Sequence, residues 1–170
     1  MPSNQNVTFY NVMFPIWMLW LFPLSWLVVL PVNFAIDLLV AVLAMKALHV
    51  VQIKQNAKAV ILRVWLMGFV ADFIGTALMF LSNVVEFPGA FGQFWNDFVS
   101  AVSFNPFQNG YAFLYVTVCV AVSGLCIYWF NRKFCLKKAV LSDTERHRLS
   151  LALAVFTAPY LFYFPSAWIY

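Results

Sequence analysis

Two carboxylates, Asp72 and Asp37, mark where this chain could do chemistry, because both fall inside long apolar runs. An ionisable side chain in the middle of a bilayer costs about 2.5–3.5 kcal/mol on insertion scales and by default marks a functional site. Asp72 lies nine residues beyond Arg63, which on a helix is a rise of about 13–14 Å, near the bilayer middle. Gly68, Asp72, Gly75 and Thr76 follow one another at i, i+4, i+7 and i+8, so they share one helix face that can approach a neighbour closely. Asp37 has Asn33 one turn away on its own face. On an antiparallel neighbour, Asp37 is expected about 6–8 Å nearer the outer surface than Asp72. All ten Lys and Arg residues stand elsewhere, so neither carboxylate has a salt-bridge partner at its own depth. Each must carry a proton, accept hydrogen bonds from groups such as Asn33, Thr76 or Ser123, bind a cation, or meet a basic group of another chain. The first two outcomes are structural and the last two functional.

Other chemistries lack their residues. There is no His-Glu-x-x-His, no Gly-x-Ser-x-Gly, no Gly-rich phosphate loop and no Cys-x-x-Cys. Cys119, Cys126 and Cys135 suit packing, and His49 and His147 are too few for a metal cluster. No cofactor and no metal are expected, and an enzyme is the least favoured class. Ser123 and Gly124, beside Ala121, are expected to let helices pack closely, as are Gly68 and Gly75.

The elements that must position these residues follow from composition. Of 170 residues, 64% are hydrophobic and 9% charged, with a mean hydropathy of +0.85, which leaves too little polar surface for a water-soluble globule. The chain is therefore expected to be an all-α, polytopic transmembrane protein. Runs near 32–51, 64–85, 111–130 and 149–168 are each long enough to cross about 30 Å of hydrocarbon. A fifth run, near 14–30, is broken by Pro23, so the chain has five spans, or four if that run enters and returns. Pro31 and Asn33 are expected to make a very short turn and a cap between the first two runs. Between the middle spans, Phe91, Phe94, Trp95, Phe98 and Val102 recur at helical spacing with polar residues opposite, predicting an amphipathic helix near 90–104 in the outer interface. Ser142-Asp143-Thr144-Glu145 has the form of a capping box, and Pro159 and Pro165 are expected to bend or end the last helix.

The charges set the topology. The basic residues fall in two windows, Lys46–Arg63 and Arg132–Arg148, which the positive-inside rule makes cytoplasmic loops, with the C-terminus outside. Lys54, Lys58, Arg132, Lys133, Lys137 and Lys138 are expected to meet anionic lipid headgroups rather than nucleic acid. The reading is a multi-pass protein of the bacterial cytoplasmic membrane, expected to form a homo-oligomer or to join a partner membrane subunit. Two functions fit: a transporter or channel component for a cation, proton-coupled solute or small molecule, using Asp72 with Asp37 on the outer approach, or a non-catalytic assembly subunit of a larger complex.

Overall fold

The computed structural model describes Pro15, Trp17, Met18 and residues 23–168, so residues 14, 16 and 19–22 of the run near 14–30 lie outside the described residues. The described chain is helical, 84% helix with no strand. Five α-helices follow in order: α1 (Trp26–Ala47), α2 (Ile53–Val84), α3 (Gly89–Phe104), α4 (Gly110–Phe130) and α5 (Asp143–Phe156). Helices α1 and α2, and the helical run Gly110–Lys138 that begins with α4, are long and apolar enough to cross a membrane. Among the described residues these are the three elements that qualify on length and composition.

The helices pack as a ring. α1 packs on α2, α2 on α4, α4 on α5 and α5 back on α1, with successive members antiparallel, while α3 lies against α4. The outward positions are apolar, among them Leu27, Leu39, Leu62, Leu66, Leu114 and Leu125, as lipid contact requires.

Several boundaries differ from the sequence expectation. α1 runs straight through Pro31 and Asn33, so neither makes a turn or a cap. Proline there removes only one helical hydrogen bond, to the carbonyl four residues back, and Trp65 Nε1 donates to the Leu30 carbonyl at 2.9 Å beside it. α2 begins at Ile53, eleven residues before the expected span. Its 32 residues extend about 48 Å, more than the hydrocarbon thickness. The first basic window is thus mostly helix: Lys54 and Lys58 stand exposed on the first turns of α2, where long side chains reach water without interrupting the backbone. The turn between α1 and α2 is only Leu48–Gln52, tight enough to hold His49 and Gln52 at φ of 56° and 58°. In α3, Phe98, Ala101 and Val102 are buried whereas Phe91 and Phe94 are exposed. Trp95, half-buried at the edge of that face, donates to the Val85 carbonyl at 2.6 Å and meets Phe87 edge to face.

The last run is not one helix. α5 has 14 residues and is followed by short 3₁₀ segments at Tyr160–Tyr163 and Ser166–Trp168. Its start carries the capping box: Glu145 N–H donates to Ser142 Oγ, and Ser142 N–H donates to Glu145 Oε2 at 2.7 Å. Donation by the Ser142 hydroxyl and backbone N–H holds the Glu145 carboxyl below its ordinary value. The stabilisation is present above that ordinary value and is lost as pH falls through the lowered one. Ser142→Ala removes the N-cap oxygen, and the usual loss for that change is about 1 kcal/mol. Thermal unfolding in detergent should show that difference narrowing at acid pH.

Candidate functional site

The interior has two apolar clusters. One, toward the basic end, contains Met45, Val60, Val64, Ile127, Leu149 and Leu153. The other contains Trp17, Met79, Val102, Val116, Cys119 and Phe162. Between them each helix of the ring contributes polar side chains: Asp37 from α1, Asp72 and Thr76 from α2, Ser123 from α4, and Thr157 just past α5. A polar layer at mid-bundle is costly unless its atoms are paired. Here several are not: Asp72 Oδ1, Thr76 Oγ1 and Ser123 Oγ are buried without a hydrogen-bond partner.

Asp37 is 6% and Asp72 4% exposed, and both line a cleft of about 390 Å³ with Asn33, Gly68 and Thr157. Gly68 makes room for the pair. A β-carbon there would stand 3.4 Å from Asp37 Oδ2, so the Asp37 carboxyl lies over Gly68, one helical turn along α2 from Asp72. This corrects the expected register. Asp37 reaches α2 about one turn toward the basic end from Asp72, not toward the outer end, because the Leu48–Gln52 turn is so short. The ion pair among the described residues joins Arg146 to Asp143 at 3.4 Å, far in sequence from either carboxyl.

The break in α5 sits at this level. Pro159 has no N–H, so the Val155 carbonyl four residues earlier loses its helical donor and accepts from the Tyr160 hydroxyl instead. Thr157 donates its own hydroxyl to the Leu153 carbonyl at 2.8 Å and lines the same cleft as Asp37. The C-terminal end of α5, the negative pole of its dipole, opens beside the same cleft. Carboxyls, a hydroxyl and a helix C-terminus together favour a positive occupant.

Of the residues singled out by sequence, Asp72, Asp37, Asn33 and Gly68 come together at this cleft. Thr76 lies in the layer but does not line it. Gly75 faces α4, where a β-carbon would meet Ser123 Oγ at 2.1 Å, and Gly124 faces α5, 3.5 Å from the Ala154 carbonyl. Both basic windows lie at one end, tied by Cys135 Sγ to the Arg63 carbonyl at 3.4 Å and by Val140 N–H to Asn56 Oδ1 at 2.9 Å. Lys133, Lys137 and Lys138 are exposed there. Arg132 is held by the Tyr128 hydroxyl at 2.6 Å, which is also 2.9 Å from His147 Nδ1. Sequence reasoning missed Thr157, Asn56 and the Tyr128–His147 pair; only Pro159, in the middle of an apolar run, signalled that the backbone changes course beside Thr157. Comparison with protein-family models, curated proteins and solved structures finds no match.

Proposed function

We propose that this protein is a small multi-pass membrane transporter or channel component that binds a positive species, a cation or a proton coupled to a solute, between Asp37 and Asp72. One observation carries the reading: two buried carboxyls with no basic partner among the described residues share a cleft beside a broken helix. Interrupted helices whose C-terminal ends and freed carbonyls meet a polar site near mid-membrane are the device by which transporters hold cations. Asn33 and Thr157 supply neutral oxygens, and Thr76 and Ser123 extend the polar layer toward α4.

In this reading α5 and its 3₁₀ continuation make the fourth crossing, in a bacterial cytoplasmic membrane; of the run near 14–30, Trp26–Leu30 belong to α1, and the part before them is shorter than the about 17 residues a separate helical crossing needs. The basic end faces the cytoplasm with Lys54, Lys58, Lys133, Lys137 and Lys138 at lipid headgroups, Arg132 pairs with Tyr128, and the C-terminus is outside. A ring of four short crossings encloses little space, so self-association or a partner membrane subunit is expected. The test is ion flux. Liposomes carrying the full chain should dissipate an imposed proton or alkali-cation gradient faster than empty ones. Equal rates for every such gradient, with intact protein in the bilayer, would favour the assembly reading instead.

A further inference from the structure

The shape of the cleft says what kind of cation it suits, an inference that rests on the cation reading above. Its mouth is formed by Val28, Val32 and Ile36 of α1 and Leu161 of the tail, all of them exposed on the outer surface of the ring. The cleft therefore opens sideways toward the acyl chains, between α1 and the α5 tail, rather than along the bundle axis. Its polar side chains are Asn33, Asp37, Asp72, Thr157 and the Tyr160 hydroxyl, and the last is spent on Val155; the carbonyls at the end of α5 lie on the same side. A bare inorganic ion needs oxygen ligands on most of its surface to replace its water, and a cleft of about 390 Å³ with apolar walls offers them on one side only. That volume lies in the range of sites for small organic ligands. Phe156 and Tyr160 line it, and both residues are exposed, so a cation's apolar substituents find aromatic as well as aliphatic surface.

We infer that the cleft admits a lipophilic organic cation from the bilayer, with its charged centre at Asp37 and Asp72 and its apolar groups against Val32, Ile36, Phe156 and Tyr160. A hydrated or anionic ligand is refused by the apolar mouth or by the carboxyls, and a neutral apolar one gains nothing from the buried unpartnered Asp72 Oδ1.

Tetraphenylphosphonium is a suitable probe, with tetraphenylborate as the anion of matching shape. Equilibrium dialysis on the full chain in phosphatidylcholine nanodiscs should show saturable binding of tetraphenylphosphonium and none of tetraphenylborate. Asp37→Asn combined with Asp72→Asn should weaken it at least about tenfold, the loss of charge attraction in a low-dielectric site. Val32→Trp, a change at an exposed position that keeps both carboxyls, should weaken it as well by narrowing the mouth. The inference is overturned if the wild-type chain shows no saturable binding, if tetraphenylborate binds equally, or if neither variant weakens it. Asp72-dependent flux of an inorganic cation without tetraphenylphosphonium binding would overturn this inference and leave the cation reading standing; loss of both would remove both.

Discussion

Asp72→Asn is expected to reduce cation- or proton-driven flux in proteoliposomes by at least about a hundredfold, the lower end of what a single proton-transferring group contributes. Asparagine keeps the shape of the side chain but cannot ionise, so it can neither release a proton nor neutralise a cation. The fold should tolerate the change. Among the described residues Asp72 has no ion-pair partner and its Oδ1 makes no hydrogen bond, so little is broken, and removing an ionisable group from mid-bilayer relieves part of a cost of about 2.5–3.5 kcal/mol. Thermal unfolding in detergent should therefore be unchanged or shifted upward. Asp37→Asn should act in the same direction, since its carboxyl lies over Gly68 in the same cleft. Unchanged flux together with lost assembly would assign Asp72 to helix docking.

The largest loss of stability is expected at Gly75. A β-carbon there would stand 2.1 Å from Ser123 Oγ, 2.9 Å from the Phe162 ring and 3.3 Å from the Cys119 carbonyl. The ring is buried and the carbonyl is backbone, so α2 and α4 must separate. Gly75→Ala should cost about 3 kcal/mol, the upper part of the usual range for overpacking. Gly68→Ala and Gly124→Ala should be far milder, because their β-carbons would find neighbours at 3.4 and 3.5 Å, ordinary contact distances. Removing the nearest obstacle with Ser123→Gly should recover part of the Gly75→Ala loss, a coupling that a double-mutant cycle reads directly. Equal unfolding temperatures for the three alanine variants would contradict the close α2–α4 approach.

Much of this was legible in the residues, and what was not has a physical reason. Composition determined the helical class, because so few charges leave no surface for water. The spacing of Gly68, Asp72, Gly75 and Thr76 placed them on one face, but a face about 100° wide can meet two neighbours, and Gly68 and Gly75 turn to α1 and α4 respectively. Charge at Lys54, Lys58 and Arg63 marks the edge of the apolar layer and not the end of the helix: Lys and Arg are good helix formers, and α2 continues through them. The turn therefore lies nearer to α1 than the charge pattern implies, and the level of Asp37 relative to Asp72 shifts with it. Pro159 announced a break in the last run, yet which donor rescues Val155 and which oxygen shares the cleft with Asp37 depend on Tyr160 and Thr157, whose positions follow from tertiary packing. The end of the run near 14–30, Trp26–Leu30, belongs to α1, because Pro31 does not interrupt that helix, so the span count rests on α1, α2 and α4 with a further crossing proposed for α5 and its continuation.

The most direct measurement of a positive occupant at Asp37 and Asp72 is labelling of the full chain in liposomes with a lipid-soluble carbodiimide, which adds to protonated carboxyls. Peptide mass spectrometry should find the adduct on Asp37 or Asp72, and adding tetraphenylphosphonium or an alkali cation that is carried should suppress it. Both carboxyls remaining unlabelled in the absence of cation, or labelled to the same extent whatever cation is present, would contradict an exchangeable cation or proton site in the cleft.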